Sequence, residues 1–362
     1  MNKAIEEYSK IRPLYYSYTE RIKDLVAELL QLNDIKIHLI EGRAKSVESY
    51  SEKINRPGKS YKNPIKELSD LSGIRVIVYY QDDVNKVAEV LRQELDIVES
   101  EVSHQPNKYS PDQFGYISLH YVIQLDNART KLPEWKVYSS FRAEIQIRTV
   151  LQHSWAAVSH ALQYKHESDA PKQLRRKLFR LAGLFELADE EFVSVRKTTF
   201  DVRNNAAHAI KNGDNTLLID ALSLQEFISQ WNDLAAIKSY MRHIGYKFEY
   251  DEGYEDDVDY FGSIAFHCER IGIENIGQLK DALNRDFKRY LKIISSNKAW
   301  HVSDSFTLYL LLIRSKIENF TTMDLVNTEW DKSISERVIQ GAIKDSQEEA
   351  NKGTQPSTEP IT

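Results

Sequence analysis

A single cysteine, Cys268, stands in the 362 residues of this chain. That scarcity rules out an intramolecular disulfide and a cysteine-rich zinc site, and it suits a reducing, cytoplasmic setting. Long apolar runs are missing as well. The longest, Leu308 to Ile313, is far short of the ~20 residues that span a bilayer and reads as buried helix, so no membrane partner is expected. The opening Met-Asn-Lys-Ala-Ile-Glu-Glu lacks the apolar core of a secretion signal. There is no surplus of positive charge: 48 Lys and Arg face 54 Asp and Glu, a net of −6. This argues against non-specific coating of nucleic acid but allows a local basic groove. No repeat of fixed period is present. Gly58-Lys59-Ser60 imitates the end of a phosphate-binding P-loop. The earlier glycine it requires is replaced by Lys53, and no strand leads into it.

What remains is an ordinary globular composition, 41% hydrophobic and 28% charged, at a length that suits two or three domains. Apolar spacing predicts a helix over 5–32, broken or restarted at Pro13, and helices over 46–56 and 82–95, the latter capped by Asp82 or Asp83. Strands are expected over 35–41, 74–80, 96–102, 118–125 and 142–149. A polar loop over 105–115 and a mobile excursion over 126–141 separate some of them. Beyond Val150 the pattern is helical, with helices near 150–165, 171–200, 214–230, 233–243, 262–270, 276–295, 303–318 and 334–346. The expected class is α+β: a mixed sheet flanked by helices over 1–200, then an all-α domain over 210–346. The boundary falls near Asn204 to Asn215, and residues 347–362 form a disordered polar tail.

The most informative segment is Ala143-Glu144-Ile145-Gln146-Ile147-Arg148. Strand side chains alternate faces, so the apolar residues point into a core while Glu144, Gln146 and Arg148 line up on the other side. A carboxylate, an amide and a guanidinium suit a metal ion, a base edge and a phosphate; a half-exposed edge strand is the plainer alternative. Arg43 and Lys45 share a face if extended, and Lys53 and Arg56 share a helical face. Together these four cations suit a polyphosphate, or a solvated basic surface. Asp70 and Arg75 flank the start of a strand, where the carboxylate suits Mg²⁺ and the guanidinium a phosphate; a surface ion pair is the alternative. Tyr116, Ser118 and His120 alternate onto one face. A tyrosine there can stack on a purine, or pair across a sheet. His153, Ala157, His160 and Tyr164 form a helical stripe, read as histidines held by hydrogen bonds beneath the site rather than as zinc ligands.

Taken in order, Gly-Arg-x-Lys-Ser, Asp-Leu-Ser-Gly-Ile-Arg-Val, Gly-Tyr-x-Ser-x-His and Glu-Ile-Gln-Ile-Arg-Thr resemble the synthetase domain of the RelA/SpoT family. So does the tail Trp155, His160, Tyr164 and Lys165. The resemblance covers about residues 1–200. It implies a nucleotidyltransferase-like domain that moves the β,γ-diphosphate of ATP to the ribose 3′-OH of GDP or GTP, making (p)ppGpp. It implies that Arg43, Lys45, Lys53, Arg56 and Arg75 bind ATP, and that Asp70 and Glu144 hold Mg²⁺. Tyr116 would stack on guanine, and His120, Gln146 and Arg148 would bind or orient the acceptor. Glu144, Asp70 and Arg75 are then the catalytic set, with Glu144 the proton acceptor.

Long members of the family also carry an alarmone hydrolase domain whose metal site needs a His-Asp dipeptide. None of the ten histidines here precedes an aspartate, and the synthetase motifs start close to the N-terminus. A synthetase-only chain is expected. Some relatives pyrophosphorylate the 3′ end of tRNA as toxins, and some carry a fused antitoxin-like domain. Lys172, Arg175, Arg176, Lys177 and Arg180 form a strip suited to tRNA phosphates or to plain solvation. The acidic-aromatic stretch 248–261 is either a solvated loop or a restraint on the basic cleft. Oligomers are common in the family, so a homo-oligomer is open, as is a protein trigger at the C-terminal domain.

Overall fold

Helix α1 (Lys3–Leu32) buries a stripe of Tyr8, Tyr15, Tyr18, Ile22, Val26, Leu29 and Leu30, the spacing an amphipathic helix requires. It runs unbroken through Pro13, contrary to the expected break. Packing around the proline offsets its lost hydrogen bond: Tyr8 stacks on Tyr50 with ring centroids 4.3 Å apart, and Tyr15 on Phe141 at 4.4 Å. The structure is a computed structural model that describes residues 3–103, 118–161, 172–248, 260–295, 300–328 and 330–353. The chain divides into two units, residues 1–197 and 198–362.

The first unit holds a five-stranded sheet in the order β1-β2-β5-β4-β3. Its strands are β1 (Ile37–Ala44), β2 (Ser72–Val78), β3 (Asp96–Ser103), β4 (Ser118–Gln124) and β5 (Ala143–Thr149). β2 and β5 are parallel and the other pairs antiparallel. Between strands lie α2 (Val47–Ile54), α3 (Pro64–Glu67) and α4 (Gln81–Glu94). One sheet face, including Ile74, Val76, Tyr121, Ile145 and Ile147, joins Ile22, Val26, Val84, Val87 and Leu91 of α1 and α4 in one buried cluster. Each such side chain contributes ~1.5–3 kcal/mol by burial, and a one-residue slip would turn the charged set inward. Register is thereby fixed, and the opposite face carries most of the charged and polar residues.

Two local expectations fail for identifiable reasons. Asp82 and Asp83 do not cap α4, whose N-cap position is Tyr80. Both instead pair with Arg196, which also covers the Tyr80 ring at 4.1 Å. The 126–141 segment, expected as an excursion, is tied to α1 through its aromatic residues. Short 3₁₀ turns at Arg129–Lys131 and Lys136–Tyr138 bring Tyr138 and Phe141 onto Tyr18.

β5 passes directly into α5 (Val150–Ala161) through a capping box. Thr149 Oγ1 accepts from Gln152 N at 3.0 Å, and Gln152 Oε1 accepts from Thr149 N at 2.9 Å. The Thr149 hydroxyl donates to Asp189 Oδ2 at 2.8 Å, on α6 (Lys172–Lys211). α6 passes through part of the stretch read as a boundary because Ala206 and Ile210 are buried. It ends near Gly213, whose φ of 76° is the left-handed turn that glycine permits.

The second unit is helical: α7 (Ala221–Gln230), α8 (Leu234–His243), α9 (Phe261–Arg270), α10 (Ile276–Leu283), α11 (Lys288–Ile294), α12 (Asp304–Ser315), α13 (Thr322–Val326) and α14 (Lys332–Gly353). Leu308 to Ile313 of α12 are fully buried at its centre. The expectation of an all-α unit needs one correction. β6 (Tyr246–Phe248) and β7 (Trp300–Val302) form a parallel pair, too short to leave a period-two signal. α14 also enters the segment read as a disordered tail from residue 347. Gln347, Glu348, Glu349 and Ala350 are helix formers, and the next proline is Pro356.

Candidate active site

Strand alternation and register build rows of side chains across the open sheet face. Arg43, Gly73 and Glu144 form one row; Glu41, Arg75, Gln146 and His120 form the next. Ile77 and Arg148 lie in a third, where Arg148 Nε donates to Ser118 Oγ at 2.9 Å. Gly73 leaves a gap between Arg43 and Glu144. A cleft of about 460 Å³ opens there, lined by Glu41, Gly42, Arg43, Lys45, Ser49, Asp70, Gly73, Ile74, Arg75, Glu144 and Gln146. A second cleft of about 520 Å³, lined by Arg43, Arg75, Gln146, Arg148, His153, Ala156 and Ala157, shares part of its wall.

Lys45 follows the end of β1, and its carbonyl accepts from Tyr8 Oη at 2.7 Å and Arg12 Nε at 3.1 Å. Lys53 is placed by α2, whose N-cap Ser46 accepts from Ser49 N at 3.1 Å. Both ammoniums donate to Asp70 Oδ2 at 2.6 Å. Burial raises the Asp70 pKa, but the two lysines outweigh it and hold the carboxyl below its ordinary value. Glu144 behaves likewise. Burial raises its pKa, while His120 Nδ1 at 3.0 Å and the Gln146 amide at 3.2 Å bring the net shift below the ordinary value. His120 Nε2 lies 2.8 Å from Ser118 Oγ. Arg148, Ser118, His120 and Glu144 are thus joined in one chain of hydrogen bonds.

The structure therefore brings together Arg43, Lys45, Asp70, Arg75, Glu144 and Gln146 in one cleft, with Arg148 in the adjoining one. Lys53 reaches this set through Asp70, and His120 through Glu144. The suggested Asp70–Arg75 pair does not form: Asp70 is held by lysines, and Arg75 stands 3.6 Å from Glu41. Arg56 does not share a helical face with Lys53. α2 ends at Ile54 with its C-cap at Asn55, and Arg56 is exposed and lines neither cleft. Tyr116, Tyr164 and Lys165 lie outside the described residues, as do the His160 side chain and residues 249–259 of the acidic-aromatic stretch.

Sequence reasoning missed Glu41, and the continued alternation of β1 past residue 41 was the available signal. It misplaced His153, which lines the second cleft rather than being satisfied beneath it. Its Nδ1 is buried with no hydrogen-bond partner. Desolvation, with Arg75 and Arg148 nearby, lowers its pKa against the opposing pull of Glu41.

Among the described residues, no three of His, Cys, Asp and Glu gather as a metal cluster. Mg²⁺, however, commonly takes one or two carboxylates and completes its shell with water and substrate phosphates. Asp70 and Glu144 line one cleft, and Asp70 Oδ1 and Gln146 Oε1 are buried oxygens lacking a partner. The donor set fits that ion.

A mixed sheet in an α+β fold that gathers two carboxylates and several cations on its open face has the chemistry of a phosphate-handling enzyme. Residues 42–169 match the model of a region found in RelA/SpoT proteins. The chain is 32% identical over 159 residues to the GTP pyrophosphokinase YwaC of Bacillus subtilis (strain 168), covering 43% of this chain and 72% of that protein. It is 31% identical over 162 residues to the GTP pyrophosphokinase YjbM of the same organism, covering 44% and 72%. Among solved structures, the small alarmone synthetase 2 from Bacillus subtilis is similar at 28% identity and a TM-score of 0.42, over 53% of this chain and 99% of that one. The chain belongs to the RelA/SpoT family of GTP pyrophosphokinases. The family match includes none of the second unit. No helix among the described residues is long and apolar enough to cross a membrane.

Proposed function

We propose that this enzyme transfers the β,γ-diphosphate of ATP to the ribose 3′-OH of GDP or GTP, giving (p)ppGpp and AMP. The observation that carries the reading is the convergence of Arg43, Lys45, Asp70, Arg75, Glu144 and Gln146 on one cleft in a chain of this family. Two adjoining clefts of the size that holds small molecules suit transfer between two nucleotides.

The 3′ oxygen bonds to the β-phosphorus as the bond from that phosphorus to the α–β bridging oxygen breaks, and AMP leaves with the bridging oxygen. Catalysis of such a step is mostly alignment and charge stabilisation. Arg43, Lys45, Lys53 and Arg75 hold ATP through its phosphates or adenine ring. Asp70 and Glu144 would hold Mg²⁺, which when bound supplies charge neutralisation at the triphosphate. Glu144, ionised at neutral pH, accepts the 3′-OH proton. His120, Gln146 and Arg148 orient the acceptor, and Tyr116 keeps the guanine-stacking role its motif implies.

One observation favours a second acceptor. Arg176, Lys177 and Arg180 are exposed on α6 and suit tRNA phosphates, which would make the 3′ end of tRNA the target. The test supplies γ-³²P-ATP and Mg²⁺ with GDP, GTP or bulk tRNA as separate acceptors. Label on guanosine nucleotide is the expected result. Label on tRNA alone would replace the first reading by the second, and label on none would overturn both.

A further inference from the structure

In the cleft as it stands, Asp70 Oδ2 is taken by two ammoniums at 2.6 Å, and only the buried Oδ1 lacks a partner. All three side chains are mostly shielded from water: Lys45 is 16% exposed, Lys53 25% and Asp70 21%. The other candidate ligand, Glu144, is engaged by His120 and Gln146 through one oxygen, Oε1. Three cations, Arg43, Lys45 and Arg75, face three carboxylates, Glu41, Asp70 and Glu144, along the cleft, and Lys53 adds a fourth positive charge. A bare divalent cation would meet no surplus of negative charge, and two fixed ammoniums beside its ligand would repel it. A triphosphate reverses this balance. Its oxygens offer the lysines charge-assisted partners, and it brings the negative charge that a hard cation seeks.

We propose that Lys45 and Lys53 are placeholders for the metal: they hold Asp70 Oδ2 against a divalent cation until a nucleoside triphosphate draws their ammoniums away, so that metal and nucleotide enter the site together. This rests on the reading of the cleft as a triphosphate site. Binding of the two is then mutually reinforcing, each raising the affinity of the other by the same factor. Removing one lysine has effects of opposite sign. It weakens nucleotide binding, because a phosphate partner is lost. It strengthens uptake of bare metal, because Asp70 is released. A lysine that only bound phosphate would give the first effect without the second.

The test counts free Mn²⁺ by electron paramagnetic resonance, using the full chain without nucleotide. Wild type, Lys45→Met, Lys53→Met and the double variant Lys45→Met/Asp70→Asn are compared. Wild type is expected to take up Mn²⁺ weakly and each single lysine variant at least ~10-fold more tightly, from the repulsion removed. Asp70→Asn should cancel the gain. Equal Mn²⁺ affinity in wild type and the lysine variants overturns the proposal, as does a gain that survives Asp70→Asn. Methionine keeps the apolar stem of lysine, and if one single variant fails to fold the other carries the test. Calorimetry of wild type with Mg²⁺ and α,β-methylene-ATP, whose α–β link cannot be cleaved, examines the underlying reading separately. Absence of binding there would remove the triphosphate site, and the proposal with it.

Discussion

Replacing Asp189 by asparagine tests whether a buried carboxylate lowers the stability of the first unit in a pH-dependent way. Asp189 is 4% exposed. One oxygen accepts from Thr149 and the other has no hydrogen-bond partner. Burial pushes its pKa from 3.8 up to about 6, against a smaller opposing effect from the Thr149 hydroxyl. A raised carboxyl pKa means that the folded chain binds this proton more tightly than the unfolded chain. The cost is therefore absent well below pH 4, grows as pH rises to 6, and is constant above it. At 1.36 kcal/mol per pKa unit the plateau is about 3 kcal/mol, and roughly 2 kcal/mol of it develops between pH 4.5 and 7.5. Asparagine does not titrate. Urea unfolding of wild type and Asp189→Asn at both pH values should thus show the variant gaining about 2 kcal/mol relative to wild type on going from pH 4.5 to 7.5. Any fixed cost of the new amide cancels in that difference. The same difference in stability at both pH values would refute the reasoning.

Glu144→Gln should lower the transfer rate by ~10²–10⁴, the range for a lost general base, with unchanged circular dichroism; undiminished transfer would remove Glu144 from the mechanism. Gly73→Ala should separate folding from activity. An added Cβ would meet only the Arg43 carbonyl at 3.7 Å, an ordinary contact, so the melting temperature should hold or rise slightly. The methyl would fill the gap between Arg43 and Glu144, and kcat/KM should fall by about tenfold or more through misplaced substrate; full activity would show that substrate does not use the gap. Tyr8→Phe removes the 2.7 Å bond to the Lys45 carbonyl but leaves Arg12 on that oxygen. A loss of about 1 kcal/mol in stability is expected from denaturant unfolding, and a loss above 3 kcal/mol would mean that the hydroxyl does more than pin this carbonyl.

The parts of the fold legible in the sequence are those set by local periodicity. Ala143 to Arg148 alternates cleanly, and β5 falls at 143–149 with its charged residues on the open face. What escaped depends on partners distant in the chain. Pro13 does not break α1, because Tyr8 and Tyr15, before and after it in the helix, stack on Tyr50 and Phe141. Asp82 and Asp83 do not cap α4, because Arg196 takes them. The pairing of Asp70 with Lys45 and Lys53 depends on the crossing of β1, α2 and the turn before β2, and no spacing reports it. His153 was misjudged because a helical stripe shows which residues share a face but not which face meets the cleft.

The parallel pairing of β2 and β5 divides the first unit into two ends with different tasks. Both strands start at the same end, so Asp70, just before β2, and Glu144, at the second position of β5, arrive together. β1, running antiparallel, brings Arg43 and Lys45 to that end as it exits. Both strands leave at the other end, where each feeds a helix. There Gln81 at the start of α4 accepts from Gln152 at 2.6 Å, and Thr149 reaches Asp189. The charged groups of the candidate site are gathered at the entry end from segments distant in the chain, and polar fastening is placed at the exit end. The carboxylates differ accordingly. Asp70 and Glu144 sit beside cations or donors that favour their ionised forms, whereas Asp189 meets chiefly burial. Substitution at Asp189 should therefore move the stability curve with pH while leaving nucleotide affinity at pH 7.5 near wild type. Substitution at Asp70 should instead weaken nucleotide binding, and because its pKa is lowered the stability it contributes is lost only as pH falls below the ordinary carboxylate range.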